Sequence, residues 1–293
     1  MKSKTSSRAP FVWDKFSLYE LCAQNPPRDA RLLRAIYADG QRSRRAAERA
    51  DLILGEDFCG TAALSRAWCD LLPRGRAIGV DNHPPTLRVA RERAPARPRL
   101  TLVEADVRRV RDKADLIAVL NFSLCEIHER AALVKYFRHA RSRLRPGGCL
   151  ICDLYGGVDA FETGLLDERI RPPQKLPDGS GHPARRDRIL YSWEQRSANP
   201  LTARVVNAMH FEVISARSTK PFAMIDAFVY DWRLWSVPEL REAMHEAGFG
   251  VTHVYPRTAE ATDSDGNLYV KHIEDPTELD ESFNVFVVGR TGH

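Results

Sequence analysis

Three apolar runs, each closed by a carboxylate, limit what residues 51 to 106 can fold into. The first, D-L-I-L-G-E-D-F-C-G-T-A, reads as a buried strand ending in an acidic residue and a small-residue turn, followed by an alanine-rich helix. Two further strands end in acids: A-I-G-V-D over Ala77–Asp81 and L-T-L-V-E-A-D over Leu100–Asp106. In a strand-loop-helix unit the carboxyl end of the strand meets the amino end of the helix, and the backbone N–H groups there can hold polar ligand atoms. Three neighbouring strands would set Glu56, Asp81 and Asp106 along one edge of one sheet.

The rest of the chain extends this alternation. A helix is expected from Pro84 or Pro85 through T-L-R-V-A-R-E-R, since proline is tolerated in a first turn. A short strand, A-D-L-I-A-V-L-N, then ends at Asn121. In the amphipathic helix that follows, Leu133, Val134, Phe137, Ala140 and Leu144 recur at helical spacing. Pro146-Gly147-Gly148 should stop it and turn into a fifth strand, G-C-L-I-C-D-L. Near the end, V-P-E-L-R-E-A-M-H-E-A-G-F reads as a helix closed by Gly248, and V-T-H-V-Y-P and F-N-V-F-V-V-G-R as two last strands. The pattern is that of an α/β protein with a mainly parallel sheet and helices on both faces.

Between about Tyr155 and Trp235 the alternation lapses. R-I-L-Y-S-W-E-Q, T-A-R-V-V-N-A-M-H-F-E-V and A-F-V-Y-D-W-R-L are strand-like and separated by N-P and K-P breaks, which reads as a small antiparallel sheet inserted after the fifth strand. The segment I-R-P-P-Q-K-L-P-D-G-S-G-H-P before them is rich in turn formers and is expected to be a mobile loop. The aromatic stretch F-V-W-D-K-F-S-L-Y-E-L-C-A-Q-N-P near the amino terminus is too apolar for a linker and is expected to form helices.

Composition sets outer bounds. With 293 residues, 43% apolar and 28% charged, the chain suits one large α/β domain carrying an insertion. No apolar run approaches the ~20 residues of a membrane span. The start, M-K-S-K-T-S-S-R-A-P, lacks the apolar core of a signal peptide and reads as a disordered basic tail of a cytoplasmic protein. Cys149 and Cys152 form a C-x-x-C, but residues three apart in a strand face opposite ways, so they read as buried structural cysteines. A net charge of +5, with arginines crowded into residues 28 to 49 and 88 to 111, leaves nucleic acid as a less favoured partner. The D-S-D-G stretch lacks the remaining ligand spacing of a calcium loop, and no other metal set is visible.

From residue 50 to about 155, and more loosely over the last 60 or so, the chain resembles the class I S-adenosylmethionine-dependent methyltransferases. In that family the first strand ends in an acid followed by G-x-G-x-G. Aligned on Cys59-Gly60-Thr61, Glu56 takes the acid position, Phe58 the first glycine, Gly60 the second and Ala62 the third. The resemblance implies a Rossmann-like sheet with an antiparallel last strand. It also implies four regions: a helical segment with its tail (1–50), a cofactor-binding core (51–155), an inserted β-rich cap over the substrate (156–235) and the completion of the core (236–293). S-adenosylmethionine would meet Glu56, Phe58, Cys59, Gly60 and Thr61 at the loop, Asp81 and Asn82 at the ribose, Asp106 and the Val107 N–H at the adenine, and Asn121 near the methyl group.

A sulfonium methyl is already activated, so its transfer needs a nucleophile held in line, relieved of its proton and shielded from water. Asn121-Phe122-Ser123 occupies the place where the transferred methyl points in the family, and it lacks the N-P-P-Y pattern of amino-directed base methyltransferases. Glu126 and His128, just beyond, are the proton acceptors by placement. Tyr19, Tyr155, Trp193, Tyr230 and Arg233 are candidate substrate residues, with Gln24, Trp232 and Trp235 beside them. Aromatic walls suit a methylated ammonium, and Arg233 a carboxylate. Strand alternation sets Tyr230 and Trp232 on one face and Asp231 and Arg233 on the other. The expected activity is metal-independent methyl transfer to a nitrogen or oxygen of a small molecule. The alternatives are an RNA or protein methyltransferase, an aminopropyl transferase (whose G-G-G-D motif is missing) and a non-catalytic adenosyl-binding scaffold.

Overall fold

A computed structural model describes residues 13–94, 97–171, 187–215 and 221–292. The basic amino-terminal tail and nearly all of the turn-rich segment expected to be mobile lie outside them. The chain opens with α1 (Lys15–Ala23), α2 (Pro26–Asp39) and the short α3 (Arg44–Ala47). The alternating part follows: β1 (Ile53–Asp57), α4 (Ala63–Leu71), β2 (Arg76–Asp81), α5 (Pro84–Arg93), β3 (Leu100–Glu104), β4 (Ala114–Val119), α6 (Arg130–Arg143) and β5 (Leu144–Gly157). Four long strands come next: β6 (Gly164–Arg171), β7 (Arg188–Asn199), β8 (Arg204–Ile214) and β9 (Phe222–Arg233). The chain closes with α7 (Val237–Glu246), β10 (Val251–Pro256), the two-residue strands β11 (Ala261–Thr262) and β12 (Leu268–Tyr269), and β13 (Ser282–Arg290).

Seven strands form one sheet in the order β10-β13-β5-β4-β1-β2-β3. Strands β1 to β5 pair in parallel, whereas β13 runs antiparallel to both β5 and β10. Strand β4 is buried along its whole length, as a central parallel strand covered on both faces must be. One face packs against α6 and α7 through Leu133, Phe137, Leu240 and Met244, the other against α2 and α4 through Leu33, Ile36 and Trp68. Cys149 falls in the second of these layers and Cys152 in the first, as their spacing on one strand requires. Each fully buried large side chain contributes ~1.5 to 3 kcal/mol. Helix α7 starts in a capping box of Ser236 and Glu239, and Gly248, at φ 93°, turns the chain beyond its end.

Some boundaries differ from the sequence expectation. Strand β1 runs past Glu56 to Asp57, whose buried carboxylate meets Arg143 Nη1 at 2.7 Å and accepts a 2.8 Å hydrogen bond from the Tyr136 hydroxyl. Helix α6 ends at Arg143, so Leu144 and the Pro146-Gly147-Gly148 turn belong to the start of β5. The inserted sheet has four antiparallel strands in the order β6-β7-β8-β9, not three. Strand β6, G-L-L-D-E-R-I-R, was hidden because an edge strand carries charges that break the apolar alternation.

Candidate functional site

The site lies at the carboxyl ends of β1 to β5. The turn after β1 holds three consecutive alternate residues in the left-handed region: Phe58 (φ 58°), Gly60 (φ 55°) and Ala62 (φ 56°). Phe58 therefore adopts the backbone that the family's glycine would. Its ring turns away into the α6 side of the sheet and meets Tyr136 edge-on at 6.1 Å. A side-chain carbon added at Gly60 would meet only Thr86, at 3.9 Å, so the backbone there is open to close approach.

Asp81, at the end of β2, fastens this turn. One of its carboxylate oxygens accepts from Gly60 N at 2.8 Å and the other from His83 N at 2.9 Å. Exposed Asn82 lies between them on the same bend. Glu56 turns under α4 and accepts from both the N–H (2.8 Å) and the hydroxyl (2.5 Å) of Ser65. Burial pushes its carboxyl up to about 7; the Ser65 hydrogen bonds and Arg66 oppose this, and Asp81 adds to it. Asp106, two residues past β3, is ion-paired with Arg108, which with the Arg108 N–H draws its carboxyl down to about 2 against a smaller effect of burial. Val107 beside it is buried. Glu56, Asp81 and Asp106 thus line successive strand ends of one sheet edge. The Cys59 thiol is buried and pushed well up by desolvation, then by Glu56 and Asp81, which makes it unreactive.

Helix α1 crosses this turn. Its Glu20, 3% exposed, accepts from the Thr61 hydroxyl and is ion-paired with Arg66 (3.0 Å) and Arg93 (2.7 Å). Sequence reasoning missed Glu20; the available signal was an acid on the apolar side of an aromatic helix. It also missed Asp153. On β5, this buried acid accepts from the N–H groups of Asn121 and Phe122, both at 2.8 Å, and so holds two left-handed residues (each φ 59°) after β4. Burial raises the Asp153 carboxyl, while Arg257, 2.8 Å away and also bound to Asp29, opposes the rise.

Beyond Asn121 an aromatic face begins. Phe122 meets Tyr155 edge-on at 4.9 Å, Tyr230 stacks on Trp232 at 4.6 Å, and Trp193 lies 5.6 Å from Trp232. Tyr19 reaches this face from α1, 5.2 Å from Phe228, and the hydroxyls of Tyr19 and Tyr230 interact. The Gln24 side-chain oxygen is buried with no partner among the described residues. Exposed Glu126 accepts a 3.0 Å hydrogen bond from the Trp232 indole and acts electrostatically on Tyr230.

Two expected site residues are engaged elsewhere. His128 directs Nε2 at the carbonyl oxygen of Asp231, 2.8 Å away, where only a protonated nitrogen bonds, so Nε2 is a donor and not a proton acceptor. Arg233 leaves the face that carries Tyr230. It lies over the Trp235 ring at 3.9 Å, donates to the His128 carbonyl at 2.7 Å and pairs with Glu239, which fixes β9 to α7.

Residues 57–148 match a family described as a methyltransferase domain. No curated protein matches the sequence. Among solved structures, the chain is similar to DesVI of Streptomyces venezuelae (17% identity, TM-score 0.64, 97% of this chain and 100% of that one). It is similar to the sugar N-methyltransferase KedS8 of a Streptoalloteichus species (15%, 0.60, 100% and 99%). It is also similar to CalS10, an amino pentose methyltransferase of Micromonospora echinaspora (14%, 0.63, 97% and 100%). At these identities the likeness is one of fold, and it extends over the inserted sheet as well as the core. The match over residues 57–148 identifies a methyltransferase domain there, and the chain as a whole shares the fold of these methyltransferases.

Proposed function

We propose that the protein transfers a methyl group from S-adenosylmethionine to an amine on a small-molecule acceptor. The observation that carries this reading is the row of Glu56, Asp81 and Asp106 on adjacent strand ends above a left-handed turn. The donor and acceptor set fits the cofactor. Asp81 has lone pairs left for two ribose hydroxyls, Asp106 is a carboxylate at neutral pH suited to an exocyclic amine, and the open backbone at Gly60 admits the amino-acid end. When bound, the cofactor supplies an activated methyl carbon on a sulfonium.

The chain's own residues then bind, orient and shield. Asp153 fixes the Asn121-Phe122 turn at the end of β4, beside which the acceptor nitrogen would sit. The rings of Phe122, Trp193, Tyr230 and Trp232 exclude water and favour the developing ammonium by cation-π attraction. Glu126, held at one oxygen by Trp232, borders this face and takes the amine proton. KedS8 is a sugar N-methyltransferase and CalS10 an amino pentose methyltransferase, which favours nitrogen over oxygen as the attacking atom.

Calorimetric titration with S-adenosylmethionine and S-adenosylhomocysteine, followed by methyl-transfer assays on amines with and without a chelator, tests the reading. Binding of both ligands and chelator-resistant turnover of an amine are expected. Binding of neither overturns it, and activity restored only by a divalent ion overturns its metal independence.

A further inference from the structure

The turn after β4 is held in a conformation that its own residues disfavour. Asn121 and Phe122 are consecutive and both stand at φ 59°, where an L-residue is strained and glycine is not. Such a backbone persists only where its surroundings over-determine it. Both N–H groups are held by one side chain: Asp153 accepts from Asn121 through Oδ2 and from Phe122 through Oδ1, each at 2.8 Å. Asp153 is buried, and burial favours its neutral acid. A neutral acid carries a proton on one of these oxygens and accepts more weakly than a carboxylate. The turn is therefore best held while Asp153 stays ionised.

Arg257 supplies the charge that keeps it so. It stands one residue beyond β10, three strands from β4 in the sheet order. Its guanidinium lies over the ring of Phe286, the cross-strand partner of Asp153 on β13, at 4.7 Å. From there Nη1 donates to Asp153 Oδ2 at 2.8 Å. Nη2 donates to Asp29 of α2 at 2.9 Å, and the Arg257 carbonyl accepts from Arg28 at 2.6 Å. A planar fork held on two carboxylates and a ring face is fixed in place. Two roles separate in this arrangement: the Asp29 contact fastens α2 to the sheet, and the Asp153 contact bears on the turn.

Resting on the methyl-transfer reading, we propose that Arg257 is a positioning residue for the reaction: acting through Asp153, it fixes the Asn121-Phe122 backbone at the place where the methyl group leaves the cofactor.

The test uses the full chain at pH 8 and two probes, S-adenosylhomocysteine and sinefungin, which carries an amine in place of the transferable methyl. The ratio of their affinities reads the backbone at that place, and S-adenosylhomocysteine alone reads the rest of the cofactor site. Sinefungin should bind the wild type about tenfold or more tightly than S-adenosylhomocysteine. Arg257→Met should cut that ratio about tenfold, the scale of one charge-assisted hydrogen bond, and leave the S-adenosylhomocysteine affinity within about threefold. It should also quicken hydrogen exchange at the Asn121 and Phe122 amides. Asp29→Asn, which removes the charge of the α2 contact alone, should leave the ratio within about twofold of the wild type. Arg257→Lys, which keeps a charge beside Asp153, should recover most of it. If Arg257→Met does not fold, Arg257→Gln takes its place with the same expectation. A wild-type ratio near one, an Arg257→Met ratio equal to the wild type's, or no recovery in Arg257→Lys overturns the proposal. An equal fall in Asp29→Asn overturns it too and makes Arg257 a staple for α2. Failure of both probes to bind instead refutes the methyl-transfer reading itself.

Discussion

At Phe58 a bulky residue holds φ 58°, a conformation that costs an L-residue ~1 to 2 kcal/mol and that glycine takes freely. The family's turn is therefore kept with its glycine replaced, and the ring is accommodated by packing on Tyr136 instead of covering the site. Losing a packed phenylalanine ring costs ~3 to 5 kcal/mol, so Phe58→Gly, after relief of the strain, should destabilise the fold by ~1 to 4 kcal/mol in urea unfolding. Its affinity for S-adenosylhomocysteine should stay within about threefold; a gain of tenfold would mean that the ring obstructs the pocket and would revive the scaffold reading. Glu56 gives a second residue-level expectation. Its carboxyl titrates near pH 7 in the free protein, and a cationic cofactor alongside would favour the charged form. Affinity for S-adenosylmethionine should thus improve as pH rises through about 7, by up to tenfold per unit below that value, and level off above it. Calorimetry from pH 6 to 8 checks this, and a flat profile in Glu56→Gln with an unchanged slope in the wild type assigns the titration to this residue. The sign for folding is opposite. An acid whose folded value is raised contributes stability that is present below its unfolded value and lost as pH rises through about 7.

Helix α1 shows how an element far from the sheet becomes part of the site. Its Leu18 and Cys22 are buried against Ile189, Tyr191, Met209 and Phe211 of the small sheet, while Glu20 reaches Thr61, Arg66 and Arg93 around the cofactor turn. Removing Glu20 leaves the Arg66 guanidinium, 3% exposed, without its carboxylate. Breaking a buried pair in this way costs ~3 to 5 kcal/mol. Glu20→Ala should therefore lower stability on that scale and speed amide hydrogen exchange throughout α1; undiminished protection of α1 would show that its apolar face alone holds it. Elements of this sort mark the boundary of what the sequence discloses. Apolar runs, helix periods and the proline and glycine breaks made β1 to β5, α5 to α7 and the last two long strands legible, because each is encoded within its own segment. The acids that close β1 to β3 were legible for the same reason. Asp153, Arg257 and Asp29 were not, since Arg257 meets carboxylates 104 and 228 residues away in the chain, and no local pattern encodes such a junction. The engagement of His128 and Arg233 was hidden likewise: both look like free functional groups until β9 is set beside the 3-10 turn at Ser123–Glu126.

Over the whole molecule, charge and connectivity weigh against a nucleic-acid role and for a coupled two-ligand site. Many of the arginines that crowd residues 88 to 111 are used internally: Arg91 pairs with Glu104, Arg93 with Glu20, Arg97 with Asp70 and Arg108 with Asp106, and Arg99 donates to three backbone carbonyls. What reads as a basic stripe in sequence is a set of cross-links in the fold, and phosphate contacts would have to break them. The connectivity points the other way. The cofactor turn and the inner face of the small sheet belong to different sheets, yet α1 packs on both, and Tyr19 and Glu20 are consecutive residues facing one and the other. A ligand that orders the turn through Thr61 thereby biases the position of Tyr19 at the aromatic face, and linkage makes the effect reciprocal. S-adenosylhomocysteine should tighten amine binding by the same factor by which the amine tightens S-adenosylhomocysteine, at least ~5-fold, the lower end of measured couplings. Leu18→Ala, which loosens α1 from the small sheet without touching either ligand surface, should shrink both factors together while each ligand alone still binds. Equal affinities in the presence and absence of the second ligand would mean that the two sheets hold their ligands independently and that α1 is only a cover.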